Sequence, residues 1–284
     1  MTRNVISLTA IPPRFPVLGE VLVSLLNQTT AIAAVELYLP RAYRRFPFDP
    51  VHLPAVPEGV IIRLCEHDFG PATKVLPAVR HYAGQDVNII FCDDDKVYDP
   101  GWAGRLIAAA ADHPGCCIVE EGSQFRDYAG PDWQSPRQPR AQRIRKNLAY
   151  RLRRAATLGA WKPRKAVTSG YVDFLEGWGG VLVRPEFLDD PAVFDIPGNL
   201  WMVDDVWLSG HLERQGIPIW LTCDPAFRTR GNSDEVSRAA LRNQVVEGAG
   251  RAALNRACID HFRANYGIWG GNAISGEVEG VQPP

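Results

Sequence analysis

The apolar run at residues 87–92 (VNIIFC) leads straight into three aspartates, Asp93, Asp94 and Asp95, followed by Lys96, Val97, Tyr98, Asp99 and Pro100. Carboxylates this close repel one another and lose hydration when packed at a sheet end, so the cluster is comfortable only where water or a cation compensates it. Mg²⁺ or Mn²⁺ would suit. Such hard cations take one or two carboxylates plus phosphate oxygens of a substrate, so the pattern suggests a metal holding a diphosphate. An acidic turn after a strand accounts for the same residues without chemistry. A calcium loop does not, because Tyr98 stands where glycine is required and no Glu follows at the needed spacing.

Other residues suit the same chemistry. Pro12 and Pro13 fix the backbone after the first apolar run, and Arg14 then offers a planar fork for a phosphate or a uracil edge, or is a surface arginine. Gly70 and Pro71 make a bend before Thr73 and Lys74, which the pattern places in the first turn of a helix, where free N–H groups and the dipole favour an anion. Lys74 is then placed for a diphosphate, or simply solvated. Asp68 either accepts from a base or ribose or caps the turn. Further on, Asp204 and Asp205 open a helix, where capping is the competing role. Trp201 and Trp207 flank them, to stack on a sugar or to pack a core that raises a carboxylate pKa towards the range of a base. Trp178, Gly179 and Gly180 lead into another apolar run, where glycine permits close approach of a sugar or of another backbone.

Elements that position these residues follow from the apolar pattern. Runs at 4–9, 35–39, 60–64, 87–92 and 117–120 read as strands, the first four forming one mainly parallel sheet, with helices at 17–27 and 73–82 packed on it. In open α/β sheets ligands sit outside the carboxyl ends of the strands, where Thr9 to Arg14, Glu66 to Lys74 and the three aspartates all fall. Neither G-x-G-x-x-G nor G-x-x-x-x-G-K-[ST] occurs, which argues against a dinucleotide dehydrogenase or a P-loop enzyme.

The chain resembles the GT-A glycosyltransferases, particularly bacterial family-2-like members. The likeness spans residues 4–225 and rests on Thr9-Ala10-Ile11-Pro12-Pro13-Arg14 after the first strand, Asp68-Phe69-Gly70-Pro71-Ala72-Thr73-Lys74, the Asp93-Asp94-Asp95 cluster and Asp204-Asp205. It implies an α/β, GT-A-like (Rossmann-like) sheet flanked by helices. The donor would be a nucleotide-diphosphate sugar, UDP favoured, touching Thr9, Pro12, Arg14, Asp68, Lys74, Asp93 and Asp94. Within the triplet the resemblance gives Asp95 the Mn²⁺ or Mg²⁺ and Asp93 the ribose or a metal-bound water. Asp94 would point elsewhere, as alternation in an extended segment requires. Asp205 would be the base of an inverting transfer, Asp204 would orient the acceptor, and Trp178, Gly179, Gly180 and Trp207 would border a glycan or lipid-linked acceptor. His211 and His261 are candidates for a third metal ligand, with a surface or helix-face histidine the simpler reading of each. Residues 1–230 would form the catalytic domain (1–100 the nucleotide-sugar half, 101–230 the acceptor half), 231–270 C-terminal helices and 271–284 a loose tail. A helix capped by Asn232 or Ser233 should run to 244, and another should span 251–265. A haloacid-dehalogenase-type phosphohydrolase and a non-catalytic sugar-binding protein are the alternatives. The first normally carries its nucleophile after the first strand, whereas these aspartates follow the fourth.

Composition sets wider bounds. The chain has 284 residues, with 31 Lys and Arg against 32 Asp and Glu, enough length for one large α/β domain. No stretch approaches the roughly 20 apolar residues that cross a bilayer, and the N-terminus reads as a strand, so a cytoplasmic protein is expected. Six scattered cysteines match neither a zinc spacing nor a disulfide framework. The oddest segment is 134–172, which has no acidic residue and eleven cations, Arg137 to Lys165. Ile144, Leu148, Leu152 and Ala156 draw an apolar stripe along it. Docking on an anionic membrane at the inner face, binding of an acidic acceptor, and a lid over the donor phosphates are its functional readings; a solvated basic face is the bland one. Nucleic acid is not expected, since no recognised module is present.

Overall fold

The computed structural model describes residues 2–130, 133–144, 148–158, 166–224, 229–231 and 250–270. Its first strands are near-continuous apolar runs; those inside the sheet are buried on both faces, and the one at the edge is only partly buried. They are β1 (Arg3–Thr9), β2 (Ala34–Pro40), β3 (Val60–Cys65) and β4 (Val87–Phe91), all mutually parallel in the order β3-β2-β1-β4. After β5 (Lys96–Tyr98) come β6 (Cys117–Val119), β7 (Gly122–Ser123), β8 (Gln142–Arg143), β9 (Ala166–Thr168), β10 (Gly170–Val172), β11 (Phe174–Leu175), β12 (Val181–Val183), β13 (Ile219–Leu221) and β14 (Thr229–Gly231). The main sheet has eight strands, β10-β13-β6-β12-β4-β1-β2-β3, with β12 antiparallel to both its neighbours and β10 antiparallel at the edge. The expected mainly parallel α/β sheet is therefore present, with two antiparallel members.

Helices cover both faces. On one, α1 (Leu18–Leu26) and α3 (Trp102–Asp112) pack Leu22, Leu25, Trp102 and Leu106 against Ile6, Leu8 and Ile90. On the other, α2 (Leu76–His81) and α6 (Asp204–Arg214) pack Leu76, Val79, Leu208 and Leu212 against Val5, Ile89 and Phe91. Ile89, Ile90 and Phe91 thus alternate between the two layers, as strand geometry dictates. Short helices α4 (Arg126–Ala129) and α5 (Leu148–Ala156) precede α6, and α7 (Arg251–Tyr266) closes the described chain. The last was expected at 251–265. It packs Phe262, Ile259 and Cys258 against Trp207 and Val206 in a third apolar cluster beside α6. The expected helix from 232 or 233 and the tail 271–284 lie outside the described residues.

One expected helix is split. The segment at 73–82 becomes a 3-10 turn, Gly70–Lys74, then a break at Val75, then α2. Pro77 forces this: lacking an N–H, a proline fits only the first turn of an α-helix, so the helix restarts just before it. The helix expected at 17–27 is present intact as α1, preceded by a 3-10 turn over Pro12–Val17. All six cysteines are free thiols. Among the described residues, no helix is long and apolar enough to cross a membrane.

Gly180 joins the layers where β12 begins. Its φ is +97°, and a Cβ there would lie 2.3 Å from the Trp102 indole nitrogen, which donates to the Gly179 carbonyl at 3.0 Å. Gly180→Ala should therefore combine backbone strain with a clash against a fully buried ring, lowering the thermal midpoint by about 5–10 °C. An unchanged melting curve would show that this junction yields freely.

Candidate active site

The parallel strands end on one rim, and there the chain gathers five carboxylates. Asp93, Asp94 and Asp95 follow β4, while Asp204 and Asp205 open α6. At the centre stands Lys74, whose side chain is only 4% exposed. Its ammonium lies 2.6 Å from Asp93 Oδ1, 2.8 Å from Asp204 Oδ2 and 4.0 Å from Asp205 Oδ1. Burial opposes its charge, yet the carboxylates of Asp204, Asp93 and Asp205 together lift its pKa well above the ordinary lysine value. Asp93 gains in return: burial pushes it up, but Lys74, Arg251 and Arg14 hold it below the usual carboxylate range. Lys74 was expected free in a helix's first turn. Because Pro77 delays α2, it instead ends the preceding 3-10 turn with its charge consumed by aspartates.

The triplet is also not extended. Asp94 and Asp95 form a turn between β4 and β5, so the alternation argument fails and both reach one arginine. Arg14 bonds Asp94 directly and stands 3.6 Å from Asp95, which Lys96 approaches at 3.2 Å. Burial raises the Asp94 carboxyl to about 7 against the pull of Arg14. Pro12 opens the 3-10 turn that delivers Arg14, whose guanidinium is spent on pinning the acidic turn.

The remaining expected residues divide. The Thr9 hydroxyl donates to the Tyr38 carbonyl at 2.8 Å, bracing β1 on β2. Asp68 accepts from the backbone N–H groups of Gly70 and Arg44, both at 2.7 Å, and thus caps its turn. Trp207 is corrected from acceptor contact to core: it is 1% exposed and donates to the Val193 carbonyl, because α6 is buried nearly all round. His211 and His261 are corrected too. Both pack on Trp207 in the aromatic cluster under α7, and burial drives His211 down to about 4. Trp178 is half-buried, with its indole on Glu176 and its carbonyl accepting from Tyr98 at 3.1 Å. Gly179 and Gly180 are spent on the contact with Trp102.

Asp205 differs from its neighbours. Its Oδ1 accepts from the Gly177 N–H at 3.0 Å, and its Oδ2 faces Arg251 at 3.6 Å. Its carbonyl accepts from Ser209, whose hydroxyl also takes the Leu175 N–H, locking the helix start against β11. Burial first, and then the negative charge of Asp204, push the Asp205 carboxyl up to about 7 despite Lys74 and Arg251. Three contributors escaped the sequence reading. Gly177 directly precedes the Trp178-Gly179-Gly180 cluster, and a Cβ there would lie 2.4 Å from the Lys74 ammonium. Tyr98 ties the triplet's loop to Trp178 and sits five residues beyond Asp93. Arg251 had no signal, since only the fold brings the first turn of α7 to the rim.

Among the described residues, no three His, Cys, Asp or Glu side chains are arranged to hold a metal ion unaided. Asp93 and Asp95, the carboxylates expected to hold such an ion, are already paired with Lys74 and with Lys96. Two carboxylates fit a Mg²⁺-like ion that takes its other ligands from substrate phosphates and water.

No protein-family model matches the sequence, and no curated protein matches it. Among solved structures, the chain is similar to S. aureus TarS, with a TM-score of 0.44 and 14% identity over 92% of this chain and 43% of that one. It is similar also to S. aureus TarS 1–349 in complex with UDP, with a TM-score of 0.44 and 12% identity over 93% and 71% of the two chains. The chain thus spans less than half the length of the first of these.

Lys74→Met should cost about 3–5 kcal/mol near neutral pH, because it strands buried carboxylates without their cation. Those carboxylates then titrate above their unfolded values, so protonation favours the folded state. The deficit should shrink as pH falls towards about 4. Urea unfolding at the two pH values checks this, and an equal deficit at both would mean that charge is not the cause.

Proposed function

We propose that the chain is a GT-A-type glycosyltransferase that moves a sugar from a nucleotide-diphosphate sugar, UDP favoured, to a glycan or lipid-linked acceptor with inversion. The observation that carries this reading is Asp205. A carboxylate with its pKa lifted to about 7 sits at a helix start on the carboxyl rim of a parallel sheet, held by one backbone N–H and partly open to solvent. A general base works best when its pKa lies near the working pH. The acceptor hydroxyl gives its proton to Asp205 while its oxygen attacks the anomeric carbon, and the diphosphate leaves with the bonding pair. Asp204, fixed by Lys74, orients the acceptor side, and Trp178 borders it. Arg44, Asp68 and Trp201 line a cavity of about 360 Å³ at the same rim, which supports placing the nucleoside there.

Five carboxylates, Asp93, Asp94, Asp95, Asp204 and Asp205, stand among four cations, Arg14, Lys74, Lys96 and Arg251, and with Asp94 and Asp205 lifted to about 7 the two sets nearly balance near neutral pH, leaving the charge of an incoming diphosphate uncompensated. Mn²⁺ or Mg²⁺ held by Asp95 and Asp93 would supply electrostatic stabilisation of the leaving diphosphate. The phosphohydrolase alternative lacks its nucleophile, since β1 ends in Thr9 and Ala10.

Two measurements test the reading. Asp205→Asn should keep donor affinity and lower transfer by at least about a hundredfold. Wild-type kcat/KM should climb as pH rises through about 7, because only the ionised carboxylate takes a proton. Near-normal turnover of the variant would move the base to Asp204. Asp95→Ala should abolish the Mn²⁺-dependent part of UDP-sugar binding in calorimetry while the fold survives, and unchanged Mn²⁺ dependence would remove Asp95 from the metal.

A further inference from the structure

The cations of the basic segment do not act alike. Arg137 pairs with Glu213, Arg140 with Asp173 at 2.5 Å, and Arg143 with Asp127 at 3.0 Å and Glu176 at 3.4 Å. Those three are structural, joining the segment to the body of the protein. Arg145, Lys146, Lys162, Arg164 and Lys165 lie outside the described residues. What remains is α5, which rises from the two-stranded ribbon β8–β9 beside the edge strand β10.

This helix is mounted inside out. Tyr150, Arg154 and Thr157 are its partly buried side, whereas Leu148, Leu152, Ala155 and Ala156 are exposed and share one face at helical spacing. Leu148 is 71% exposed, Leu152 61% and Leu158, which ends the helix with a φ of +46°, 97%. Arg151 and Arg153 flank this apolar face on either side, where long cationic side chains can reach outward from a buried stem.

We infer that α5 lies flat on an anionic lipid surface, with Leu148, Leu152 and Leu158 entering the acyl boundary and Arg151 and Arg153 meeting lipid phosphates. Charge selects this occupant. α5 itself carries Arg151, Arg153 and Arg154 and no acid, so a second copy would set cation against cation, whereas an anionic leaflet attracts it. The inference does not rest on the transferase reading, and it confines the membrane contact expected for 137–165 to the exposed helix.

Sedimentation with phosphatidylglycerol–phosphatidylcholine vesicles tests it. Wild type should bind at low salt, be released as salt rises, and ignore pure phosphatidylcholine. Arg151→Gln with Arg153→Gln should weaken partitioning about thirtyfold at low salt. Leu148→Ser, Leu152→Ser and Leu158→Ser together should weaken it at least about tenfold, with the thermal midpoint unchanged because these side chains are already exposed. Wild type that ignores anionic vesicles at low salt, or a leucine variant that binds like wild type, overturns the proposal. So does a wild-type dimer in sedimentation velocity that the leucine changes dissociate, since the face would then belong to a second copy.

Discussion

The site is organised around one buried ammonium. Taking Lys74 out of water is tolerable only because Asp93 and Asp204 lie within 2.8 Å, and those carboxylates are tolerable there only because of Lys74. The mutual dependence fixes three distant segments at one point: the 3-10 turn after β3, the end of β4 and the start of α6. Backbone detail follows from it. Residue 177 is glycine because any side chain would displace the ammonium, and the Gly177 N–H thereby reaches Asp205. Ser7 completes the clamp by donating to the Lys74 carbonyl at 2.6 Å, tying β1 to the same turn.

The arrangement distributes the charges unequally, and that is what gives the carboxylates different uses. Asp93 and Asp204 are paired with Lys74 at short range, and Asp94 is paired with Arg14. Asp205 receives only the distant edge of Lys74 and a guanidinium at 3.6 Å, so burial and the charge of its neighbour dominate its titration. Two adjacent aspartates of identical chemistry are thus given different surroundings by geometry, Asp204 held against the Lys74 ammonium and the Asp205 carboxyl lifted to about 7. Arg251 comes from the far end of the chain, which makes the C-terminal helix part of the site as well as of the core.

Much of the fold was legible because its strands are buried on both faces and its flanking helices carry their own apolar spacing. Val87 to Phe91 needs no partner to read as a strand. The acidic residues of the site were legible by type, but their partners were not. Lys74 and Asp204 are 130 residues apart, and no local pattern says which carboxylate a buried lysine will meet. Trp207 misled for a related reason: on a helix with eight of eleven residues buried, an aromatic beside an aspartate pair carries the same local signature whether it faces a sugar or the core. The run of cations hid a similar division, since Glu213 and Asp173, which neutralise Arg137 and Arg140, follow them by 76 and 33 residues.

In α5 the conflict is local against global. A helix with one apolar face normally turns that face to the core, because burying a leucine contributes roughly 1.5–3 kcal/mol. Here Tyr150 and Arg154 face the protein while two leucines face outward, so the lone chain leaves that stabilisation unrealised. Beside it, Arg140 and Arg143 tie the strand β8 and the residues before it to Asp173, Asp127 and Glu176. Glu176 directly precedes Gly177, the residue that holds Asp205. Arg143 and Asp205 thus meet the same short loop from opposite parts of the chain, so the packing of β8 and the surroundings of Asp205 depend on one stretch of backbone.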